Sequence, residues 1–323
     1  MKALVTGGAG FIGSHLCAAL VGEGHEVIVI DDLSTGQARN LAGVADSPAL
    51  HVHWASILED ERLQDIVDEV DIVYHLAAAV GVRLILERPV ESIETNILGT
   101  GRVLRCAAKG QKKVIVTSTS EVYGKNDEVP LREDDDSVLG PTSKSRWSYA
   151  CSKAINEFLA LAYHRDKGLP VVIVRYFNTI GPRQTGRYGM VVPRFVRQAL
   201  AGEPITVFGD GNQSRSFTDV ADAVQATLAL SRHPAASGAV FNVGSGHEIT
   251  INDLAGRVKA LTGSASAIVH VPYETVYSEG FEDLRRRVPD IGRLRDLVGF
   301  VPRYGLDATL ERVIRYQRED TLA

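Results

Sequence analysis

Cysteine is scarce, three residues in 323, and Cys17, Cys106 and Cys151 stand far apart with no CxxC pair among them. An odd count without a framework excludes a disulfide scaffold. It points to a reducing compartment, with each thiol acting as a small core hydrophobe. A basic excess is missing too: 35 lysines and arginines against 40 aspartates and glutamates leave a formal charge of −5. No footprint for nucleic acid follows, and an anionic substrate has to be held by a few placed arginines. Long apolar runs are absent, and Met1-Lys2 leads straight into a strand-like segment with no signal peptide. No membrane association is expected, and a cytoplasmic location is. Internal repeats and low-complexity tracts are also lacking. No metal site is expected.

What the chain has is apolar residues, 45% of the total, enough for one large α/β unit and a smaller lobe. Short β-rich runs at Ala3–Thr6, Glu26–Ile30, Leu50–Trp54, Asp71–His75, Lys113–Thr117 and Val171–Arg175 alternate with helical spacing at Gly13–Gly22, Leu58–Val67, Thr95–Lys109 and Tyr149–Arg165. Most of the strand runs are continuously apolar, as strands covered on both faces are. The expected fold class is α/β, a doubly wound parallel sheet of Rossmann type with a smaller C-terminal α/β lobe. The expected division is a cofactor domain over 1–175 and a substrate lobe over 176–323, with segments near 210–240 packing back on the first. Past Tyr176, loops such as 181–189 and 209–213 are rich in Gly, Pro and Arg, the composition of a lobe whose loops shape a pocket. The acidic run Glu133–Asp136 reads as a solvated loop.

Thr6-Gly7-Gly8-Ala9-Gly10-Phe11-Ile12-Gly13 falls between the first strand and the first helix. Glycines there permit a tight turn and let backbone N–H groups reach a pyrophosphate at the helix N-terminus, where the helix dipole favours negative charge. Asp31, eighteen residues after Gly13, is placed to accept from the hydroxyls of an adenosine ribose. A carboxylate there repels a 2′-phosphate, which selects NAD over NADP.

Tyr149 and Lys153 are four apart in Tyr149-Ala150-Cys151-Ser152-Lys153, hence on one helix face. A phenol titrates at about pH 10 unaided. A nearby ammonium stabilises the phenolate and brings Tyr149 toward use as a base at neutrality. Thr117-Ser118-Thr119-Ser120-Glu121-Val122-Tyr123-Gly124 leaves a parallel strand at its C-terminal end, where open α/β sheets bind ligands.

With these residues in view the chain resembles the extended short-chain dehydrogenase/reductase family, in its nucleotide-sugar epimerase, dehydratase and decarboxylase branch. The resemblance spans TGGAGFIG, YHLAAAVGV at 74–82, TSTSEVYG at 117–124, YACSK at 149–153, RYFNTIGPRQ at 175–184 and GDGNQSRSFTDV at 209–220. It implies a catalytic triad of Thr119, Tyr149 and Lys153. It implies NAD contacts from Gly7, Gly10, Phe11, Ile12 and Gly13, from Asp31 and Asp32, from Leu76, Ala77 and Ala78, and from Tyr149 and Lys153. Trp54-Ala55-Ser56-Ile57 replaces the Gly-Asp-Ile/Leu common after the third strand, so Ser56 and Ile57 are the expected adenine contacts. The chemistry implied is oxidation of a sugar at C4 by a recycled NAD, with Tyr149 taking the hydroxyl proton.

The same resemblance places Asn178, Arg215 and Arg287 at a pyrophosphate, a task suited to forked guanidinium donors, and Val207 and Phe208 beside the base. Arg187 is a candidate partner for a sugar carboxylate. Glu121 separates the reactions. Simple 4-epimerases carry a small or apolar residue there, whereas dehydratases and UDP-glucuronate decarboxylases carry Glu. TSTSEVYG and the segment 277–290 resemble the decarboxylases. A 4-keto group is an electron sink for a β-carboxylate, so CO2 loss follows oxidation, with Ser120 and Glu121 protonating or orienting the enolate. UDP-glucuronate decarboxylation is the leading expectation. UDP-sugar 4-epimerisation (of UDP-glucose or UDP-glucuronate) and 4,6-dehydration are the alternatives, and a silent NAD-binding sensor is a remote one. The bland role for Glu121 is a structural carboxylate satisfying backbone N–H groups. Relatives pair through two helices, which here implies a homodimer through Thr95–Lys109 and Tyr149–Arg165.

Overall fold

In β1 (Lys2–Thr6) Ala3 and Val5 turn to one face of the sheet and Leu4 to the other, and all three are fully buried. A strand apolar on both faces needs a cover on both, and that requirement sets the architecture of the computed structural model, which describes residues 1–186, 189–275 and 284–322. The strands β2 (Glu26–Asp31), β3 (Leu50–Trp54), β4 (Ile72–His75), β5 (Lys113–Thr119) and β6 (Val171–Tyr176) join β1. Their helices are α1 (Phe11–Gly22), α2 (Leu63–Glu69), α3 (Val82–Glu87), α4 (Pro89–Lys109) and α5 (Arg146–Lys167). Short strands β7 (Thr179–Ile180), β8 (Ile205–Phe208), β9 (Ser214–Ser216) and β10 (Thr218–Asp219) follow, with α6 (Val191–Leu200) and α7 (Val220–Arg232). The chain ends with β11 (Ala239–Val243), β12 (Glu248–Thr250), α8 (Ile251–Thr262), β13 (Ile268–Val271), α9 (Gly292–Val298) and α10 (Leu306–Leu322).

The main sheet runs β11-β6-β5-β4-β1-β2-β3, all parallel. This is the doubly wound Rossmann arrangement expected, with the order reversing between β1 and β4, where such sheets open a crevice at the strands' carboxyl ends. One apolar cluster joins Ala3, Val5, Val172 and Val174 to α1 and α7; the other joins Leu4, Val73, Val114 and Ile173 to α2, α4 and α5. A third gathers Phe195, Ile205, Val207, Leu254 and Leu310.

The structure departs from the sequence reading in four places. The sheet has a seventh strand, β11, paired to β6. Its run Ala-Val-Phe-Asn-Val is broken by Asn242, which is fully buried and donates to the carbonyls of Leu131 and Asp290. The helix read over 58–67 begins only at Leu63. Before it the chain turns, because Ser56 Oγ and Asp60 Oδ1 accept from the N–H of Leu58 and Arg62, and Arg102 holds the carbonyls of Ile57 and Asp60. The two long helices start earlier than read, α4 at Pro89 in the first turn, where a proline's missing N–H costs nothing, and α5 at Arg146. Finally Glu133, read as solvated, is buried and accepts from the N–H of Asn242 at 2.8 Å, while Asp134 beside it is exposed.

Candidate active site

The glycine turn is built by exclusion. A Cβ on Gly13 would lie 2.1 Å from the Gly7 carbonyl oxygen, and one on Gly7, whose φ is +72°, would lie 2.7 Å from the Ala77 nitrogen. Only glycines let the turn close against β4 and leave α1 starting at Phe11 with an open N-terminus. The first turn of α1 carries no acidic residue and no side-chain cap, so its N–H groups and dipole are free for an anion. Asp31, at the end of β2, is buried. Oδ2 accepts from Ala9 N–H at 2.9 Å and Oδ1 from Leu33 N–H at 2.8 Å. Burial raises its pKa, and those backbone bonds oppose the rise. Asp32 accepts from Ser34 N–H.

Gly7, Gly10, Phe11, Ile12, Gly13, Asp31 and Asp32 line one long cleft, together with Ile57, Leu76, Ala77 and Ala78. Ser56 is engaged as a turn cap for Leu58, and Ala55 and Ile57 make the cleft wall there. A cradle that a Cβ would fill, an open helix N-terminus and a carboxylate at the ribose position fit an NAD.

The same cleft continues past Thr119, Ser120, Glu121, Tyr149 and Lys153. Thr119 ends β5, its hydroxyl accepts from Glu121 N–H at 3.3 Å, and it draws the pKa of the Tyr149 phenol down. Tyr149 is one turn before Lys153 on α5, on the face toward the sheet. Burial, then the Glu121 carboxylate, push the phenol's pKa up, against the pull of Arg146 and Arg287. In the protein alone the phenol is therefore neutral. Burial lowers Lys153 to about 8, against the opposing pull of Glu157. Ser120 Oγ is buried and has no hydrogen-bond partner among the described residues.

Glu121 is gripped by arginines rather than by backbone N–H groups. Arg146 Nη2 donates to Oε1 at 2.9 Å, Arg146 Nη1 to Oε2, and Arg287 Nη1 lies 3.4 Å from Oε1. Burial alone would raise the carboxyl, but Arg146, Arg287 and Arg215 bring it down to about 2. Arg146 was not among the candidates read from the sequence. Its signal was its position three residues before Tyr149, which puts both on adjoining helix faces once the helix is known to start that early.

In the remaining cleft, Asn178 holds φ +36° and donates to the Ser216 carbonyl at 2.9 Å. Buried Arg215 donates to the Ser214 carbonyl at 2.8 Å. Phe208 lines the wall with the Arg194 guanidinium 3.7 Å above its ring. The strand alternation of β8 sends Val207 the other way, fully buried in the third cluster. Arg187 and residues 276–283 lie outside the described residues.

The model of the NAD dependent epimerase/dehydratase family matches residues 3–244. The chain is 46% identical over 322 residues to a UDP-N-acetyl-alpha-D-glucosaminuronate decarboxylase from Bacillus cytotoxicus, covering 98% of each. It is 36% identical to UDP-glucuronic acid decarboxylase 1 from Arabidopsis thaliana, over 97% of this chain and 69% of that one. Among solved structures it is similar to a UDP-glucose 4-epimerase from Thermotoga maritima with UDP-glucose, with a TM-score of 0.89, 32% identity and 100% of both chains covered. It is equally similar in fold to UDP-glucuronic acid 4-epimerase from Bacillus cereus, in complex with UDP-glucuronic acid and NAD, with a TM-score of 0.89, 30% identity and 99% of each chain covered. With the dinucleotide cradle opening onto the tyrosine–lysine helix, and likeness running almost end to end, this chain belongs to the NAD-dependent epimerase/dehydratase family, as an enzyme of nucleotide-sugar chemistry.

Proposed function

We propose that this enzyme decarboxylates a UDP-linked hexuronate. The observation that carries the reading is the Arg146–Glu121–Arg287 cluster against Tyr149. A sugar with its C4 at Tyr149 has the carboxylate on C5 two bonds further on, where two guanidiniums and a single countercharge leave a net positive corner. An epimerase acting on a neutral hexose has no use for that charge.

NAD, when bound, would supply a recyclable hydride acceptor for C4, and the glycine turn and Asp31 would hold it. Tyr149, steadied by Thr119, takes the C4 hydroxyl proton. The resulting ketone draws the electron pair of the breaking C5–carboxylate bond, and Tyr149 and Thr119 stand where they can donate to the enolate oxygen. With a pKa of about 2, Glu121 has no proton to give at neutral pH. Its part is to turn the arginines and to keep them from binding the carboxylate so tightly that CO2 loss slows. Protonation of C5 falls to a water oriented by Ser120, whose buried hydroxyl has no other described partner. Asn178 and Arg215 hold the diphosphate, Arg287 standing instead at Glu121, and Phe208, stacked with Arg194, holds the base.

Two hexuronates are named among the relatives, and the 2-acetamido one belongs to the more similar of them. The test is incubation with UDP-glucuronate and with UDP-N-acetylglucosaminuronate, followed by mass spectrometry. A product lighter by one CO2 is expected; an isomer of unchanged mass would make the enzyme a 4-epimerase instead.

We further propose a homodimer. On α4 and α5, which pack on each other, Val90, Leu98, Ile155 and Phe158 are exposed, Phe158 at 74%. An apolar face on paired helices is suited to a second copy. The free cysteines, two of them buried, support a cytoplasmic location.

A further inference from the structure

Tyr149, Lys153 and Glu157 follow one another at intervals of four along α5, so the helix face that carries the reactive pair continues into a buried carboxylate. Glu157 is 6% exposed. Arg175 donates to it through Nε (2.9 Å to Oε1) and Nη2 (2.7 Å to Oε2), and Ser118 Oγ donates to Oε1. Ser118 on β5 and Arg175 on β6 are direct cross-strand neighbours, as are Thr119 and Tyr176 one step on. A single side chain therefore fastens α5 to the ends of the two strands that carry Thr119 and lead into Asn178.

We propose that Glu157 is a positioning residue for the redox step. It fixes the register of α5 against β5, holding Tyr149 and Lys153 at the end of the strand that carries Thr119, and it is the buried carboxylate one turn on from Lys153.

Charged and titratable groups on the neighbouring elements surround Lys153 and Glu157. On β4, His75 is buried, with Nδ1 at Thr6 Oγ1 and Nε2 at Thr100 Oγ1; burial, then Lys153, hold it neutral at about 3. Beyond Glu157 lie Arg175 on β6, the Tyr123 ring 4.7 Å from its guanidinium, and the Glu133 carbonyl accepting from its Nη1. At the cleft end Glu121 is occupied by Arg146 and Arg287. Glu157 is the carboxylate that raises Lys153 against the effect of burial. Losing that anion lowers the ammonium's pKa further, so less of Lys153 is charged at neutral pH. The alkaline limb of activity then moves to lower pH.

The inference rests on the hydride-transfer half of the proposed function and not on decarboxylation. It is tested on the NAD-loaded protein by following Lys153 in lysine-labelled NMR spectra across pH, its signal identified as the one missing from Lys153→Met. In Glu157→Gln the titration midpoint is expected to fall by about one unit, a tenfold change in protonation equilibrium. Glu157→Asp, which keeps the charge, should restore most of it. Because Glu157→Gln strands a buried cation, Glu157→Gln/Arg175→Gln serves as the second variant: it removes both charges and should show the same direction. In turnover, kcat should fall on the alkaline side with KM for the nucleotide sugar unchanged. A midpoint that stays put in both charge-removing variants would overturn the proposal, even with kcat reduced. If the wild type turns over neither hexuronate, the decarboxylase reading fails while the titration still decides this one.

Discussion

Arg146 holds Glu121 with both arms of its guanidinium, Nη2 donating to Oε1 at 2.9 Å and Nη1 to Oε2, at the point where α5 begins. A fork of this kind fixes the carboxylate's plane as well as its charge, which a lysine's single ammonium cannot do. Arg146→Lys is therefore expected to keep the net charge and still lose about tenfold to a hundredfold in kcat, read by steady-state kinetics on the UDP-hexuronate. Retained activity would mean that charge alone suffices.

The pair also has a pH signature. The folded pKa of Glu121, about 2, lies below its ordinary 4.5. Its contribution to stability is thus fully present above about pH 5 and is lost as pH falls through about 4.5 toward 2. Thermal melts of wild type and Glu121→Gln should differ by a constant amount above about pH 5 and converge below it. Between about pH 5 and 8 the wild-type kcat profile should show no ionisation removed by Glu121→Gln. A break that disappears in the variant would identify Glu121 as a proton donor after all.

Tyr149→Phe removes one oxygen from a buried phenol and leaves Lys153 and the glycine cradle untouched. Turnover should fall by about 10²–10⁴ or more, while the purified variant keeps its NAD, measured by releasing and quantifying the nucleotide. Mixed with substrate, the variant should show no rise in absorbance from reduced cofactor, since no base takes the C4 proton. Full activity in this variant would remove the tyrosine from the chemistry.

The parts of this molecule readable without coordinates are those where one physical demand acts alone. Leu4 and Val5 are apolar on both sides of a strand, and Gly7 and Gly13 are required by contacts no Cβ survives. Strand β11 was hidden because Asn242 obeys a second demand, donating to Leu131 and Asp290 from inside the core. Glu133 looked solvated among three neighbouring acids until Asn242 N–H gave it a buried partner. Val207 and Phe208 looked equivalent beside a base, and only the pleat of β8 tells them apart. Arg146, Glu157 and Arg175 carry nothing unusual in their spacing. Their roles appear once α5, β5 and β6 are brought together, because ion pairs between distant segments leave no local pattern.

Gly13→Ala tests the cradle. The new methyl would lie 2.1 Å from the Gly7 carbonyl, and backbone on both sides leaves no flexible group to yield. The variant should be destabilised by about 1–3 kcal/mol and be purified with little NAD. Gly246→Ala is the control, since a Cβ there meets nothing within 4 Å. Its melting temperature and NAD content should match the wild type. Equal NAD content in the two variants would place the pyrophosphate elsewhere.

Phe158 is 74% exposed on α5, with Ile155 at 45% one turn before it and Leu98 at 58% on neighbouring α4. Leaving a phenylalanine in water forgoes roughly 2 kcal/mol of burial, and several such residues on one pair of helices make a face that a second copy can cover. Phe158→Asp places a charge in that contact at no cost to the monomer's own core, because the side chain packs on little within the chain. Sedimentation velocity should then show a dimer for the wild type and a monomer for the variant at micromolar concentration. If the two sediment alike, this face is not the interface. If the variant dissociates and retains its NAD and its kcat, each subunit works alone. A fall in kcat on dissociation would tie the site to the partner through α5, whose inner face holds Tyr149 and Lys153 while its outer face holds Phe158.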